Sequence, residues 1–439
     1  MEFPNRNPNA DLAFGVLSDL HMTHRGEGLQ KLSQYLDLYS RITPAIDAHV
    51  FTGDIVYQID LSGGGTCHTI YEEPYVYLKL ALDRYAKDVP LIYTLGNHEY
   101  PQNRHEPEIM DEARAVYEKA GYKQLEHVVL KGYHFISVGI HNWDREFTPE
   151  AEKWAMTEIR RALRASGDLP VFVLCHIPPN NTVARSGDAR HSEEFRKLLL
   201  SSKRIVNIVG HTHVAPEDPT TIWQRRGGAT VIHAPMGAVG NVGICGAAMH
   251  YESGLFYSRS LFFEVIGTKV IIHKIDNLCE KETGKPWIVD VSPKGEEYYT
   301  DSRKRVAKKP AFAKGAKAYA EWRDGNPYFK FDKAVCPETI GNDDSDVPNY
   351  RFEFIRQGEK EPCLSLAWHS DYARSVHRPY FISPVNVNGA LEGGLYTVKI
   401  YPVSFFGKEG RPISVKLRVP ADPGKAPVWP LPQDVFSMV

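Results

Sequence analysis

Apolar residues in the first two thirds of the chain come in short unbroken runs, each closed by a polar cluster. Leu12–Ser18 (LAFGVLS) is too short for a helix and reads as a buried strand. Ala48–Thr52, Val89–Leu95, Val171–Cys175 and Ile205–Val209 repeat the pattern. Between them, apolar residues recur at helical spacing. Leu29, Leu32 and Leu36 mark a helix over Gly28–Tyr39, and Tyr75–Lys87, Glu106–Ala120 and Ser192–Ser201 read the same way. Thr148–Ala165 opens with Thr-Pro-Glu, an N-cap followed by proline at the first helical position. Gln124–Leu130 and Tyr133–Ile140 predict a hairpin turned at Lys131-Gly132. Ala229–His233, Ser260–Ile266 and Lys269–Lys274 are further strands, the last two a hairpin around Gly267-Thr268. Strands alternating with helices predict a layered α/β core, residues 1–276.

The pattern then changes. Residues 277–325 are rich in Lys and Arg and lack long apolar runs, which predicts a connector. From 326 to 421 short strands alternate with Gly- and Pro-marked turns: Tyr328–Lys333, Tyr350–Arg356, Cys363–His369, Tyr380–Val385, Tyr396–Ser404 and Ile413–Val419. This spacing predicts a small all-β sandwich with Trp368 in its core. Gly394–Tyr401 followed by Phe406-Gly407-Lys408 resembles the late strands of fibronectin type III domains, and that resemblance makes Tyr396 the tyrosine-corner residue. Residues 422–439 are a proline-rich tail, and Leu61–Thr66 (LSGGGT) is a flexible loop.

Composition narrows the function. In 439 residues, 42% are apolar and 24% charged, as in ordinary globular proteins, and the net charge is -2. There is no basic excess to build a nucleic-acid groove and no polybasic run for a membrane surface. The six cysteines are scattered without a CxxC pair, which argues against a zinc knuckle or a disulfide framework. Nothing resembles a signal peptide, and no apolar segment reaches the roughly 18 residues of a membrane span. The expectation is a soluble, cytoplasmic protein, or an exported one read without its leader. Oligomeric state is not legible.

The chemistry lies where the buried strands end. Asp19-x-His21, Gly53-Asp54, Gly96-Asn97-His98-Glu99, His176 and Gly210-His211-Thr212-His213 each close a strand. Open α/β sheets keep their ligand sites at such edges. Residues i and i+2 on an extended end project to one side, so Asp19 with His21, and His211 with His213, can face one cleft. Carboxylates, one amide and several imidazoles suit zinc, manganese or iron, and the lack of thiolates argues against a structural zinc site. Isolated, each residue would read as a turn or cap; together they need an ion to offset the cost of burial. Gly96 is expected to let the backbone turn sharply. Gly237–Gly246 (GAVGNVGICG) does not fit a dinucleotide-binding fingerprint and reads as a loop near the cleft.

The ordered set resembles the calcineurin-like metallophosphoesterase family over about residues 12–275, with all five motif blocks intact. The resemblance implies a β-sandwich flanked by helices and two adjacent metals. It implies that Asp19, His21 and His213 bind the first metal, that Asn97, His176 and His211 bind the second, and that Asp54 bridges both. Two divalent or trivalent ions, manganese, iron or zinc, about 3.5–4 Å apart would share an acidified water as hydroxide for in-line attack on phosphorus. His98 resembles the family's catalytic histidine, which protonates the leaving alkoxide. Glu99 matches the motif without being a family ligand and is expected to support the site by orienting an imidazole. Asn142, Arg104 and Tyr100 are candidate substrate contacts.

The expected activity is hydrolysis of a small phosphorylated substrate, a phosphodiester such as a cyclic nucleotide ahead of a monoester. The shared motifs do not separate those two. A protein phosphatase of the same family, and a scaffold acting through the C-terminal sandwich, are the rival readings.

Overall fold

A computed structural model describes residues 3–58, 69–187, 189–237, 240–242, 250–252, 257–337, 346–373, 375 and 378–423. Leu61–Thr66, most of Gly237–Gly246 and the tail from 424 lie outside the described residues. The chain divides into two units, residues 1–240 with 257–301, and residues 241–256 with 302–439.

The first unit holds strands β1 (Leu12–Leu17), β2 (Ala48–Phe51), β3 (Leu91–Tyr93), β4 (Leu125–Leu130), β5 (Tyr133–Val138), β6 (Val171–Cys175), β7 (Ile205–Val209), β8 (Ile222–Gln224) and β9 (Thr230–His233). The short strands β10 (Gly240–Val242) and β11 (His250–Glu252) pair with each other and, Gly240 apart, belong to the second unit. β12 (Arg259–Ile266), β13 (Lys269–Asp276), β14 (Lys281–Glu282) and β15 (Trp287–Asp290) complete the first unit. Its helices are α1 (Leu29–Ser40), α2 (Glu73–Tyr85), α3 (Pro107–Lys119), α4 (Pro149–Ala165) and α5 (Glu193–Leu199).

One sheet runs β14-β13-β12-β1-β2-β3, with β15 also paired to β13; the other runs β4-β5-β6-β7-β9-β8. β1, β2 and β3 are parallel, and so are β5, β6, β7 and β9. Leu12, Phe14 and Val16 of β1 share a core with Phe135, Phe172 and Val206 of the other sheet. Phe14 sits at its centre, with ring centroids 4.8 Å from Phe263, 5.2 Å from Phe172 and 5.3 Å from Phe135. The alternate residues Ala13 and Leu17 pack instead in a second core, with Leu32, Tyr35 and Leu36 of α1. Both faces of these parallel strands are covered, which is why they read as unbroken apolar runs. The fold is a mixed α/β sandwich with helices outside, which fits the expectation drawn from the sequence resemblance.

The stretch 277–325 is not a connector throughout. β14 and β15 extend the first sheet, with Val289 opposite Val270 and Trp287 opposite Ile272. Trp287, Val289 and Val291 are buried in the core between the sheets, an alternation too short to register as a strand against its charged surroundings. Arg303–Val306 of the basic run is a short helix, α6.

The second unit contains β16 (Ala318–Arg323), β17 (Asn326–Asp332), β18 (Asn349–Arg356), β19 (Leu364–His369), β20 (Tyr380–Pro384), β21 (Gly394–Val403) and β22 (Ile413–Val419). They form a three-stranded sheet, β16-β17-β20, and a four-stranded sheet, β19-β18-β21-β22, all antiparallel. Phe329, Phe331 and Phe381 of one meet Tyr350, Phe352 and Val398 of the other in a shared core. Tyr396 donates from its hydroxyl to the Glu392 carbonyl at 2.9 Å. Trp368 is half-buried at the margin of that core, held by a bond from Nε1 to Ser383 Oγ at 3.2 Å.

Candidate metal centre

Five polar segments meet where the parallel strands end. Ser18-Asp19 follows β1, Gly53-Asp54 follows β2, the Gly96–Glu99 stretch follows β3, His176 follows β6, and His211 and His213 follow β7. One donor atom from each of Asp19, His21, Asp54 and His213 lies within 4.8 Å of the others, and the same holds for Asp54, His176 and His211. Asp54 belongs to both groups. His176 Nε2 stands 3.0 Å from Asp54 Oδ2, and His213 Nε2 stands 3.0 Å from Asp19 Oδ1.

The backbone pays for this convergence. Asp19, His21, Asp54, His211 and His213 have φ between 51° and 73°, the left-handed region. Each such residue costs of order 1–3 kcal/mol, and such strain gathers at functional sites. Hydrogen bonds hold the arrangement. The Asp19 carboxylate accepts the His211 N–H at 3.1 Å. His98 N–H donates to Asp54 Oδ1 at 2.8 Å. His176 Nδ1–H donates to the Thr52 carbonyl at 2.7 Å, which turns Nε2 toward Asp54.

Gly96 has a different reason from the expected one. Its φ is not positive; instead a Cβ there would overlap Asp54 Oδ1 and come within 2.7 Å of the Asp54 amide. Gly210 is crowded likewise, its imagined Cβ 2.8 Å from Asp19 Oδ2 and 2.9 Å from His176 Nδ1. Both glycines make close approach possible.

Glu99 does not orient an imidazole. Its buried carboxylate accepts from the amides of Asp54 (3.0 Å), Ile55 (2.9 Å), Val56 (3.2 Å) and Gly96 (2.5 Å), and from the Tyr93 hydroxyl (2.7 Å). It ties the loop that presents Asp54 to the stretch that presents Asn97 and His98. Burial first, then the charge of Asp54, pushes Glu99 up to about 7 against the pull of Tyr93 and the Gly96 amide.

The electrostatics call for a cation. Burial opposes charge on Asp19, but His213 and His176 override it and hold the carboxyl well below its usual range. Asp54 is likewise held low by His176 and His98 despite burial. Burial also works against charge on His176, yet Asp54 and Asp19 raise it to about 10. Burial, with His213, takes His21 down to about 4. Asn97 is buried, and its Oδ1 has no hydrogen-bond partner among the described residues. A buried amide oxygen left unpaired costs about 1–3 kcal/mol. It lies between Gly96, packed on Asp54 and His176, and His98, bonded to Asp54. An orphaned amide oxygen in a stretch packed on Asp54 and His176, next to a carboxylate shared by two donor groups, suits an oxygen- and nitrogen-bound metal pair, so the residues fit the group.

The remaining expected contacts fare differently. Tyr100 is a core residue, 2% exposed, its hydroxyl donating to the Ile140 carbonyl at 3.0 Å. It is withdrawn from the cleft because its ring completes the packing against Tyr117. Arg104 donates to the Glu106 carboxylate at 3.0 Å. The Asn142 side chain is engaged with Glu146, donating to Oε2 at 2.9 Å. Two residues escaped sequence reading. The rings of Tyr57 and Trp143 lie 4.3 and 4.5 Å from that of His98. Their only signal was position, three residues after Asp54 and one after Asn142.

Fold and site together define the class: a mixed α/β sandwich with a donor set for two metal ions at the strand ends. The model of the calcineurin-like phosphoesterase family matches residues 12–215, the span that holds all seven donors and His98. Over those residues the chain is similar to calcineurin-like phosphoesterases, and the protein is a hydrolase of phosphoric esters. No curated protein matches the chain. Among solved structures, a dimetal phosphatase from Danio rerio is 13% identical, covering 64% of this chain and all of its own, with a TM-score of 0.43. A purple acid phosphatase from yellow lupin is 11% identical, covering 65% of this chain and 55% of its own, at 0.47. A 5'-nucleotidase precursor from Thermus thermophilus is 12% identical, covering 92% and 88%, at 0.32. Among the described residues no helix is long and apolar enough to cross a membrane.

Proposed function

We propose that the protein hydrolyses a small phosphodiester at a two-metal centre formed by Asp19, His21, His213, Asp54, Asn97, His176 and His211. The observation that carries this is Asp54, whose carboxylate is common to both donor groups. Asp19, His21 and His213 would hold one ion, Asn97, His176 and His211 the other, and Asp54 would serve both. Manganese, iron and zinc all suit this donor set, and when bound they supply an acidified water and a sink for charge on the phosphoryl group. With the ions bound, the water would release one proton to solvent, and its oxygen would bond to phosphorus as the bond to the leaving oxygen breaks. The leaving oxygen would keep that electron pair and take a proton from His98; burial disfavours the charged ring and Asp54 favours it, so the ring gives that proton up readily and ends neutral.

A diester monoanion asks for less positive charge than a monoester dianion. Arginine is the usual bidentate partner of phosphate. Here Arg104 is paired with Glu106 and Arg190 with Glu146. That supports the diester reading. Residues 326–421 are read as a fibronectin type III-like sandwich without chemistry of its own, on the three- and four-stranded sheets and the Tyr396 bond.

The test is a panel of bis-p-nitrophenyl phosphate, p-nitrophenyl phosphate and cyclic nucleotides with added manganese, with bound ions measured by elemental analysis. Turnover of the diesters above the monoester supports the proposal. Faster monoester turnover overturns the diester reading, and inactivity on all with metal bound overturns the activity.

A further inference from the structure

We infer that Tyr57 and Trp143 are positioning residues for His98, an aromatic socket that sets its ring by packing where a hydrogen bond would ordinarily do so. The inference rests on reading His98 as the general acid. An imidazole that moves protons is commonly oriented by a partner on its second nitrogen. His98 has none: Nδ1 is buried without a hydrogen-bond partner among the described residues, and Nε2 is 3.8 Å from Asp54 Oδ2, beyond bonding distance. The carboxylate that follows Trp143, Asp144, faces His105 at 3.5 Å.

Rings take the partner's place. Tyr57 meets the His98 ring at 4.3 Å and 62°, Trp143 at 4.5 Å and 77°, and His21 at 4.4 Å and 88°. Edge-to-face contacts of this kind favour definite angles. The His98 backbone is pinned as well, its carbonyl accepting the Gln58 N–H at 2.9 Å and its N–H bonded to Asp54. With the backbone fixed, ring rotation is the remaining freedom, and the socket removes it.

The socket's own walls are braced. Tyr57 N–H donates to the Met22 carbonyl at 2.8 Å. Trp143 sits on a turn closed by His141 N–H to the Glu146 carbonyl at 2.8 Å and Arg145 N–H to the Asn142 carbonyl at 3.2 Å. Asn142 Nδ2 donates to Glu146 Oε2, and Arg190 donates to Oε1 at 3.0 Å. Asn142 therefore serves to hold the tryptophan in place.

A misplaced acid matters only when the leaving group needs a proton. p-Nitrophenolate departs without one; an alkoxide does not. Trp143→Ala should lower kcat about 10–100-fold on the best alkoxide-leaving ester, with KM and metal content unchanged, and bis-p-nitrophenyl phosphate turnover should stay within about threefold. Trp143→Phe should recover most of the loss, and Tyr57→Leu should show the same selectivity. In metal-free protein, the His98 ring protons should shift on Trp143→Ala as the ring current is lost. Equal loss on both esters, no loss on either, no rescue by phenylalanine, or unmoved His98 resonances would overturn the socket. His98→Asn is the control. If it lacks the same selectivity, the acid assignment falls and the socket with it; if it shows it and Trp143→Ala does not, only the socket falls.

Discussion

Replacing Glu99 with glutamine changes one atom at the point where the Asp54 loop is fastened. Oε1 accepts from Ile55 N–H, Val56 N–H and the Tyr93 hydroxyl; Oε2 accepts from Asp54 N–H and Gly96 N–H. Glutamine keeps one acceptor oxygen. Its NH2 must face at least two N–H groups that can only donate. Each buried donor left unpaired costs about 1–3 kcal/mol, so Glu99→Gln should destabilise the segment by about 2–6 kcal/mol. The loss should be local, because the strands that flank the loop stay packed in their cores. Amide hydrogen exchange is the direct assay: Asp54, Ile55, Val56 and Gly96 should lose roughly 1.5 to four orders of magnitude of protection, at about 1.4 kcal/mol per factor of ten, while the amides of β6 keep theirs. Metal affinity should fall in parallel. Unchanged protection at these four amides, with full metal content, would refute the claim that Glu99 fastens the loop.

Asp54→Asn should weaken binding of both ions by more than about 100-fold, well beyond the effect of losing a residue that only supports a ligand, and elemental analysis after dialysis reads it. Retention of both ions would contradict a shared carboxylate. His273 offers a pH prediction away from the site. Its Nδ1 lies 2.7 Å from Glu282 and its Nε2 3.2 Å from Glu264, and although burial opposes the charge, these carboxylates raise it to about 9. A raised folded-state pKa stabilises fully below the unfolded value near 6.5 and is lost as pH rises through 9, a swing of about 3 kcal/mol. Denaturation midpoints should fall over that window in the native protein, and His273→Gln should flatten the fall.

Much of the site was legible because its residues punctuate apolar runs. Asp19, Asp54, His176 and His211 each follow a strand buried on both faces, so even a single sequence shows where the donors gather. What was not legible depends on partners distant in sequence. Glu99 bonds amides more than 40 positions earlier, and nothing in Gly-Asn-His-Glu says that its carboxylate turns back on the chain. Gly96 looked like a turn residue because the oxygen it makes room for belongs to Asp54. Tyr100, beside the motif, went to the core, while Trp143, on the turn after β5, came to the site. β14 and β15 were hidden because a two-residue strand and the alternation Trp287, Val289 carry too little periodicity to stand out among charged neighbours.

The left-handed backbone at Asp19, His21, Asp54, His211 and His213 limits how this centre could be re-engineered. A designer choosing new donors would begin with metal preference, softness and coordination number. Here each replacement must first tolerate a positive φ, which asparagine, aspartate and histidine do far better than other non-glycine residues. Cysteine or glutamate at these positions would carry a conformational penalty before meeting any ion. The usable alphabet at five of the seven donors thus narrows to three letters, and the backbone acts as a filter on metal chemistry.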